Sequence, residues 1–573
     1  MHIDSSTYTT SGGKTYTRHL LRESYRRGGK VLKRTLANLS HLAPERLEAL
    51  RLALAHKGPL CDLASVSEDV ELRQGASAAA VLTVLEMARR LGITAALGGS
   101  AEGRRALWQV VARCLEQGSR LSAVRLARRL DADRLLGLGP FDEDDLYTNL
   151  EWLCAQQVQI EDRLFAHRCG ERPAPRLFLY DVTSSYLEGV CNELGAFGYN
   201  RDGKRGKKQV VAGLLTDEDG WPLSIEVFRG NTQDPATVAA QIAKLSQRFG
   251  GGELTLVGDR GMLKSREVAN LTTAGMHYIT AITRPQIQSL LRRGVLQLGL
   301  FDQSLAEVTD ENGRRYVLHR NPVQAEVCAA RRADQLAAWQ RRVQQANLYL
   351  SEHPRACPDK ARSRLEVLAR RLKLQDWAGL EVEGRTLRPV IDEQAHAEAA
   401  MLDGCYALIT DLTASQASKE LVDARYHDLA FVEQNFRTAK TALLEMRPIY
   451  VRLESRTRGH ALVVMLACML ARRLADCWRG LDVTVEEGLE ELKELCSTQV
   501  WVRGQPAFNT LPQPRSSTQA LLSAAGIDLP ALLPSLERTA PGPDTRRKLP
   551  AQRRTRCKRK APVDTNGRST AKP

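Results

Sequence analysis

Two acidic residues occupy positions where a carboxylate calls for a chemical explanation. Asp181 lies inside an apolar, strand-like run at 177–183, where a charge is expensive unless something compensates it. Asp259 ends a second such run, and the turn Arg260-Gly261-Met262 that follows can direct its carboxylate toward an open site. Either residue alone is more often a cap, a turn residue or half of an ion pair. Together, at strand positions of one predicted sheet, they indicate ligands of a hard cation such as Mg²⁺, which takes oxygen ligands and leaves positions for phosphate and water.

A third carboxylate, Glu433, comes from a predicted helix over residues 426–440. The apolar stripe that would pack this helix on the sheet consists of Val432, Phe436, Ala439 and Leu443. Tyr426, Glu433 and Lys440 are spaced almost two turns apart, so they share one helix face with about 10 Å between neighbours. In that arrangement Glu433 faces the metal ions, and the Tyr426 phenol and the Lys440 ammonium group bind phosphates. The spacing alone favours a simpler interpretation, a surface helix decorated with Glu and Lys.

The elements that must position these residues follow from runs of apolar and β-branched side chains. Strands are predicted at 177–183, 209–215, 221–228, 254–259, 277–283 and 404–410. Helices are predicted at 235–249, 266–274, 418–444 and 457–480. Three strands in succession, with a hairpin turn at 217–220, precede alternating helices and strands, and this order indicates a mixed sheet with helices packed on it.

Changes in composition and in the spacing of apolar residues divide the chain into seven segments. In order they are an N-terminal β-hairpin region (1–60), a helical region (61–175), the first part of an α/β core (176–284), an insertion (285–400) that contains paired charged helices, the second part of the core (401–480), a C-terminal helical region (481–540) and a basic tail (541–573). The hairpin has a Gly-rich turn at 26–29. The tail has almost no apolar residues and is expected to be disordered.

Composition narrows the class of protein. The chain has 573 residues, too many for one compact core, and predicts two or three domains. At 43% hydrophobic and 26% charged residues it is neither disordered throughout nor collagen-like. A formal net charge of +15 suits a polyanionic partner such as nucleic acid, although a basic enzyme of another kind fits the charge equally well. Nine Lys or Arg residues fall between Arg546 and Lys560, so the rest of the chain is nearer neutral than the total suggests.

No uncharged apolar run reaches the length of a membrane span, and the best candidate, 461–471, is too short. The N-terminus lacks a charged segment followed by an apolar one, so a cytoplasmic location is expected. The 12 cysteines form no C-x-x-C pair, which predicts reduced thiols without a structural zinc site.

Five segments resemble conserved blocks of bacterial DDE-type insertion-sequence transposases. They are YDVTSSY at 180–186, GNTQD at 230–234, VGDRGM at 257–262, DGCYALIT at 403–410 and the stretch 426–448. Each block is modest, but five in family order are highly specific, and together they span about 176–475. The resemblance implies a multidomain α/β protein with a ribonuclease-H-like mixed sheet core, in which Asp181, Asp259 and Glu433 form the acidic triad. It also implies that 285–400 interrupts the core before the Glu-bearing helix.

The subgroup signature of this family is Tyr-x2-Arg-x3-Glu-x6-Lys. Tyr426, Glu433 and Lys440 fit the signature, but Leu429 occupies the Arg position. Arg437 is one candidate to replace that Arg, and Arg425 is another, although neither lies at the matching position. The resemblance therefore implies DNA contacts by Tyr426, Lys440 and Arg437.

The implied activity is metal-dependent DNA strand cleavage and transfer at the ends of an insertion sequence, in cut-and-paste transposition. The implied cofactors are two Mg²⁺ ions, for which Mn²⁺ can substitute, held by Asp181, Asp259 and Glu433. The implied partners are double-stranded DNA, as terminal inverted repeats and target, and a second copy of the chain in the DNA complex, with no membrane. Recognition of the DNA ends is expected in the helical region 61–175.

Other classes of function remain open from the sequence. A catalytically inactive or repurposed transposase acting as a DNA-binding regulator is compatible with the Leu429 departure, although the intact triad argues against it. A ribonuclease-H-like nuclease shares the triad and would cut DNA without joining it. Glycosidases with paired carboxylates need no basic surface and fit poorly. The basic tail is either a sequence-independent phosphate binder or a solubilising extension.

Overall fold

A computed structural model of the protein describes residues 1–10, 12, 15–55, 70–249, 253–441, 444–447, 450–502 and 505–533. The chain divides into two compact units. The first contains Met1–Arg73 and Gln499–Asn509, and the second consists of Gln74–Thr498 and Thr510–Pro534. The basic tail predicted at 541–573 lies outside the described residues, as does Leu443 of the predicted apolar stripe.

The first unit contains an antiparallel sheet in the order β1–β2–β3. Its elements are β1 (His2–Thr9), β2 (Thr15–Arg27), β3 (Lys30–Asn38) and helix α1 (Pro44–Ala55). The turn between β2 and β3 uses Gly28 and Gly29, whose φ angles of +61° and +74° are accessible to glycine at little cost. The predicted hairpin is therefore confirmed, and β1 extends it by a third strand that the sequence pattern did not indicate.

The helical region of the second unit follows one strand, whose first four residues (70–73) belong to the first unit. The elements are β4 (Val70–Ser77), α2 (Ala79–Arg90), α3 (Ile93–Leu97), α4 (Ala101–Leu115), α5 (Arg120–Arg129), α6 (Ala132–Leu136) and α7 (Glu143–Glu171). A capping box between Asp142 and Asp145 fixes the start of the long helix α7. The predicted helical texture is thus confirmed from residue 79 onward.

An eight-stranded mixed sheet follows, in the order β10–β11–β14–β9–β8–β5–β6–β7. Its first five strands and their connecting helices are β5 (Leu177–Tyr186), β6 (Gln209–Asp217), β7 (Pro222–Arg229), α8 (Asp234–Gln247), β8 (Thr255–Gly258), α9 (Ser265–Thr273) and β9 (His277–Ala281). β5, β6 and β7 pair antiparallel, whereas β5 with β8 and β8 with β9 pair parallel. The predicted mixed sheet with packed helices is confirmed.

Residues 285–400 contribute both to this sheet and to a separate cluster. Their elements are α10 (Arg284–Arg292), a 3-10 turn (Leu298–Asp302), β10 (Ala306–Thr309), β11 (Arg315–Arg320), α11 (Pro322–Glu352), α12 (Pro358–Arg371), β12 (Ala378–Glu383), β13 (Thr386–Ile391) and α13 (Glu393–Met401). β11 pairs with β14 (Cys405–Thr410), so the sheet continues through this segment. The predicted paired helices are α11 and α12, which are joined where the Trp339 indole donates to the Leu365 carbonyl at 3.1 Å.

The predicted single helix over 418–444 is wrong, because two helices occupy this stretch. They are α14 (Lys419–His427) and α15 (Leu429–Ala439). At the junction, Asp428 accepts a hydrogen bond from the amide of Phe431, three residues on, and also receives the Arg425 guanidinium at 3.1 Å. The helical hydrogen-bond ladder tightens there, a local change that apolar spacing does not record.

Helix α16 (Glu454–Trp478) forms the centre of the second unit. Its apolar run 461–471 is buried and packs against α4, α7 and β7. Gly459 permits this packing, because a side chain there would lie 2.0 Å from the Leu150 carbonyl oxygen of α7. No helix within the described ranges is long and apolar enough to cross a membrane.

The C-terminal elements are α17 (Val485–Glu494), β15 (Cys496–Val502), β16 (Gln505–Thr510) and α18 (Ser516–Ala524). The two helices agree with the helical region predicted at 481–540. The two strands between them were not predicted. Cys114 and Cys468 in the core are buried, and burial raises the pKa of each thiol to about 12, as expected of inert structural cysteines.

Candidate active site

Asp181 lies on β5, a central strand of the mixed sheet, and Asp259 directly follows the neighbouring strand β8. In the parallel pairing of β5 with β8, Tyr180 is opposite Gly258; Asp181 is the next residue of β5, and Asp259 is the first residue after β8. The backbone amide of Val182 donates to Asp181 at 2.7 Å. The sheet register therefore brings together two residues that are 78 positions apart in the sequence.

The charges of the three predicted triad residues converge on Asp181. The pKa of this carboxyl group is raised to about 6, chiefly by burial and also by the negative charges of Asp259 and Glu433, against the Val182 amide and the Arg201 guanidinium, which lower it. Glu433 lies on α15, which packs on β5. The structure thus places all three carboxylates within electrostatic reach of one another.

Tyr426 contacts this group directly. Its hydroxyl donates to Asp259 at 3.1 Å, and burial followed by the Asp259 charge raises the pKa of the phenol. Tyr426 is the penultimate residue of α14, whereas Glu433 belongs to α15. The two residues therefore reach the site from consecutive helices rather than from one face of a single helix.

Ion pairs and a hydrogen bond hold the basic loop between β5 and β6 near the same carboxylates. Lys440, which caps the C-terminal end of α15, forms an ion pair with Asp202 of this loop at 2.7 Å. Arg201 donates to both carboxylate oxygens of Asp234 at 2.6 Å, and its backbone amide donates to Ser184 on β5 at 2.8 Å. Arg201, Asp202 and Asp234 were not predicted as site residues, although the Gly- and Lys-rich run directly after the Asp181 strand was a usable signal.

The structure shows the surroundings of Leu429 and of the two arginines that the sequence offered in place of a signature Arg. Leu429 is buried and packs in the main hydrophobic core, where a guanidinium would lose its hydration. Arg425 is engaged with Asp428, and Arg437 is exposed in the last turn of α15. A leucine at position 429 therefore fits its apolar surroundings.

The donor set of the site suits a hard divalent cation. Within the described ranges, no Lys, Arg or His side chain forms an ion pair within 4 Å of Asp181, Asp259 or Glu433. Clustered carboxylates without a cation repel one another, and oxygen ligands of this kind are those that Mg²⁺ takes. Among the residues that the structure describes, no group of three His, Cys, Asp or Glu side chains is close enough to bind one metal ion jointly.

Comparison with known protein families identifies the chain. The family model described as the transposase DDE domain matches residues 172–470, more than half of the sequence. The chain belongs to the DDE transposase family. A second model, described as the N-terminal domain of IS1634 family transposases, matches residues 3–65. This transposase is therefore a DNA-transposing enzyme of the bacterial insertion-sequence type, as the five sequence blocks predicted.

The DDE match spans Asp181, Asp259 and Glu433 together with the whole 285–400 segment of the transposase. Among solved structures, a piggyBac transposase synaptic complex with hairpin DNA matches with a TM-score of 0.32 and 8% sequence identity, over 74% of this chain and 69% of that chain. Comparison with curated proteins gives no match. Membership in the Tyr-Arg-Glu-Lys subgroup stays a prediction.

Proposed function

We propose that this transposase cleaves DNA at the ends of an insertion sequence and transfers the strands to a target, with Asp181, Asp259 and Glu433 as ligands of two Mg²⁺ or Mn²⁺ ions. The observation that carries the proposal is the convergence of the Asp259 and Glu433 charges on the partly buried Asp181 carboxyl. When bound, such ions activate a hydroxyl nucleophile and stabilise the leaving oxygen of an in-line displacement. Because the three carboxylates are not yet close enough to hold a metal together, side-chain rotation on metal binding is part of the proposal.

The strand order supports assigning the core to the ribonuclease-H-like type. The antiparallel meander β5–β6–β7 lies on one side of Asp181, and the parallel strands β8 and β9 lie on the other. In this arrangement the 285–400 segment is an insertion before the Glu-bearing helix that also lends β10 and β11 to the sheet edge.

The chain's own residues position the substrate in this proposal. The Tyr426 hydroxyl orients Asp259 through its hydrogen bond and faces the terminal phosphates of the DNA end. Lys440 and the exposed Arg437 provide positive charge at the end of α15, with Lys440 exchanging Asp202 for a phosphate when DNA binds. A fixed set of charged groups of this kind favours the reaction by placement rather than by covalent chemistry.

The partners follow from the same proposal. They are double-stranded DNA, as terminal inverted repeats and target, and a second copy of the transposase in the DNA complex, acting in the cytoplasm where bacterial DNA lies. Helices α2 to α7 within 61–175 are proposed to read the DNA ends.

A cleavage and joining assay tests the proposal. Purified full-length transposase, incubated with a supercoiled plasmid that carries the element's own ends, is expected to nick and then join strands in Mg²⁺ and to do neither in EDTA. Binding without nicking would contradict the proposal and support a repurposed regulator. Nicking without joined products would instead support a nuclease.

Lys440→Ala is expected to weaken binding of an element-end duplex by about threefold to tenfold, because one charge-assisted phosphate contact is lost. The slope of log affinity against log salt should also fall by about one phosphate contact. Fluorescence anisotropy over a salt series measures both quantities. Lys360→Ala, at an exposed position on α12, is the matched control. Unchanged binding and cleavage in Lys440→Ala would remove the phosphate role from this residue.

A further inference from the structure

A cavity of about 210 Å³ lies in the second unit among α4, α5, α7 and α16. None of the residues that line it belongs to the carboxylate site. The polar side chains of its wall include Arg113, Ser119, Arg120, Glu445, Arg447 and His460. The cavity is large enough for a polyatomic ion, since one water takes about 30 Å³ of liquid.

Arg120 is a buried guanidinium that lacks a counter-charge. Only 6% of the residue is exposed, and its Nη2 atom lies 3.2 Å from Nδ1 of His460. Its Nε atom has no hydrogen-bond partner, and no carboxylate among the described residues pairs with it. The pKa of Arg120 is lowered to about 9, chiefly by burial and also by the charge of Arg113. Such a group is costly to bury unless an anion joins it.

Arg113 adds a second buried charge to the same wall. It is also 6% exposed and donates to the Gly118 carbonyl at 3.2 Å. Burial lowers its pKa to about 10, with the Glu445 charge acting in the opposite direction. The Glu445 carboxylate already accepts hydrogen bonds from Arg447 and, at 2.9 Å, from Gln117. Among the described residues that line the cavity, three guanidinium groups face one carboxylate, Glu445, so the lining is positively charged; Arg447 also lies 3.6 Å from Glu188, outside the lining.

His460 supplies a neutral donor. Burial and the two arginine charges hold the pKa of this imidazole well below its usual range, so the ring is uncharged at neutral pH. Because Nδ1 accepts from Arg120, the ring proton belongs on Nε2. Within the described part of the chain, Nε2 completes no hydrogen bond, although the Met446 and Glu445 carbonyls approach the ring.

The start of α5 lies in the same wall. This helix has ten residues, and Ser119 caps it by accepting from the Ser122 amide at 3.1 Å. The amino end of a helix carries partial positive charge and free amide groups, both of which favour an anion. Gly118 allows the chain to turn here, because a side chain at this position would meet Ser122 Oγ at 2.6 Å.

We propose that this cavity binds a phosphate group, contributed either by the backbone of a DNA strand or by free orthophosphate. A tetrahedral oxyanion accepts from both guanidinium forks, from the His460 ring and from the amides at the start of α5. It also neutralises the excess positive charge that the protein leaves there.

The path from this cavity to the carboxylates favours DNA as the source of the phosphate. Arg447 lines the cavity and also donates to the Tyr186 hydroxyl at the end of β5. Asp181 lies five residues earlier on the same strand, which corresponds to roughly 16 Å of extended chain. A DNA strand rises about 3.4 Å per nucleotide, so a strand held at the carboxylates covers this distance within about five nucleotides.

Two measurements on the full-length protein test the proposal. The first follows thermal unfolding in increasing potassium phosphate at constant ionic strength, with chloride as the balancing anion. The wild-type melting temperature is expected to rise by at least about 2 °C, because an anion bound only by the folded state stabilises it. Arg120→Gln is expected to lose this response, whereas Arg364→Gln, at an exposed position on α12, is expected to keep it. If Arg120→Gln does not fold, Arg113→Gln, which removes the other buried guanidinium of this wall, is measured in the same way.

The second measurement follows binding of an element-end duplex over a salt series. If DNA supplies the phosphate, Arg120→Gln lowers affinity by about tenfold and reduces the salt slope by about one contact, and orthophosphate competes with the duplex. If orthophosphate is the ligand, the variant loses only the thermal response. A wild-type protein that phosphate stabilises no more than chloride, together with unchanged DNA binding in the variant, overturns the proposal, as does an equal phosphate response in wild type and Arg120→Gln. Asp181→Asn should keep the phosphate response, so failure here is separable from failure of the catalytic proposal.

Discussion

Asp181→Asn, Asp259→Asn and Glu433→Gln are each expected to reduce strand cleavage by at least about a thousandfold while leaving DNA binding intact. Each substitution removes one negatively charged oxygen from a metal site, and a thousandfold loss corresponds to about 4 kcal/mol of transition-state stabilisation. The influence of both the Asp259 and Glu433 charges on Asp181 is the structural basis for expecting a role for each of the three. Plasmid nicking in Mg²⁺ measures cleavage, and fluorescence anisotropy on an element-end duplex measures binding.

Stability measurements separate a catalytic loss from unfolding in these variants. Because the folded-state pKa of Asp181 is raised to about 6, its ionised form destabilises the metal-free protein above that pH and not below the unfolded value of 3.8. Asp181→Asn should therefore be as stable as the wild type at neutral pH, or more stable by up to about 3 kcal/mol. Asp359→Asn, at an exposed position on α12, serves as the matched control. Normal nicking by any one of the three variants would exclude that residue from the metal site.

Gly230→Ala is expected to destabilise the second unit by about 2–3 kcal/mol, the usual cost of forcing extra volume into a packed site. A side chain there would lie 1.9 Å from the Gln209 carbonyl oxygen and 2.6 Å from the Ala196 carbonyl oxygen. Both contacts are with backbone, which cannot rotate away. The Gly230 amide also donates to the Leu194 carbonyl at 2.9 Å, so the three chain segments have no room to separate without losing hydrogen bonds.

The same substitution should impair cleavage where the protein is still folded. Gly230 begins the block that ends at Asp234, whose carboxylate holds Arg201 beside the site. A displacement of about 1 Å in a positioning element can cost up to about a hundredfold in rate. Urea unfolding measures the stability change as a lower midpoint. Gly189→Ala is the control, because a side chain at that glycine meets nothing within 4 Å. An unchanged urea midpoint in Gly230→Ala would show that the backbone around Gly230 can move to accommodate a side chain, contrary to this prediction.

Local chemistry determined much of this protein from the sequence alone. Gly28 and Gly29 fixed the N-terminal turn because their positive φ angles suit few other residues. The apolar pattern predicted the helix at 457–480, and the order of strand-like apolar runs predicted the mixed sheet. The five ordered blocks predicted the DDE transposase family, which the match over 172–470 confirms.

The tertiary structure alone decided which of these elements meet. The pairing of β5 with β8 placed Asp181 beside Asp259, and the packing of α15 added the charge of Glu433. The addition of β11 to the sheet also depended on a partner strand distant in the chain. Arg113 and Arg120 resembled any other arginines in the sequence, and only burial distinguished them. The physical reason is that hydrogen-bond propensity and apolar periodicity act over a few residues, whereas strand register and the desolvation of a charge depend on contacts across the whole fold.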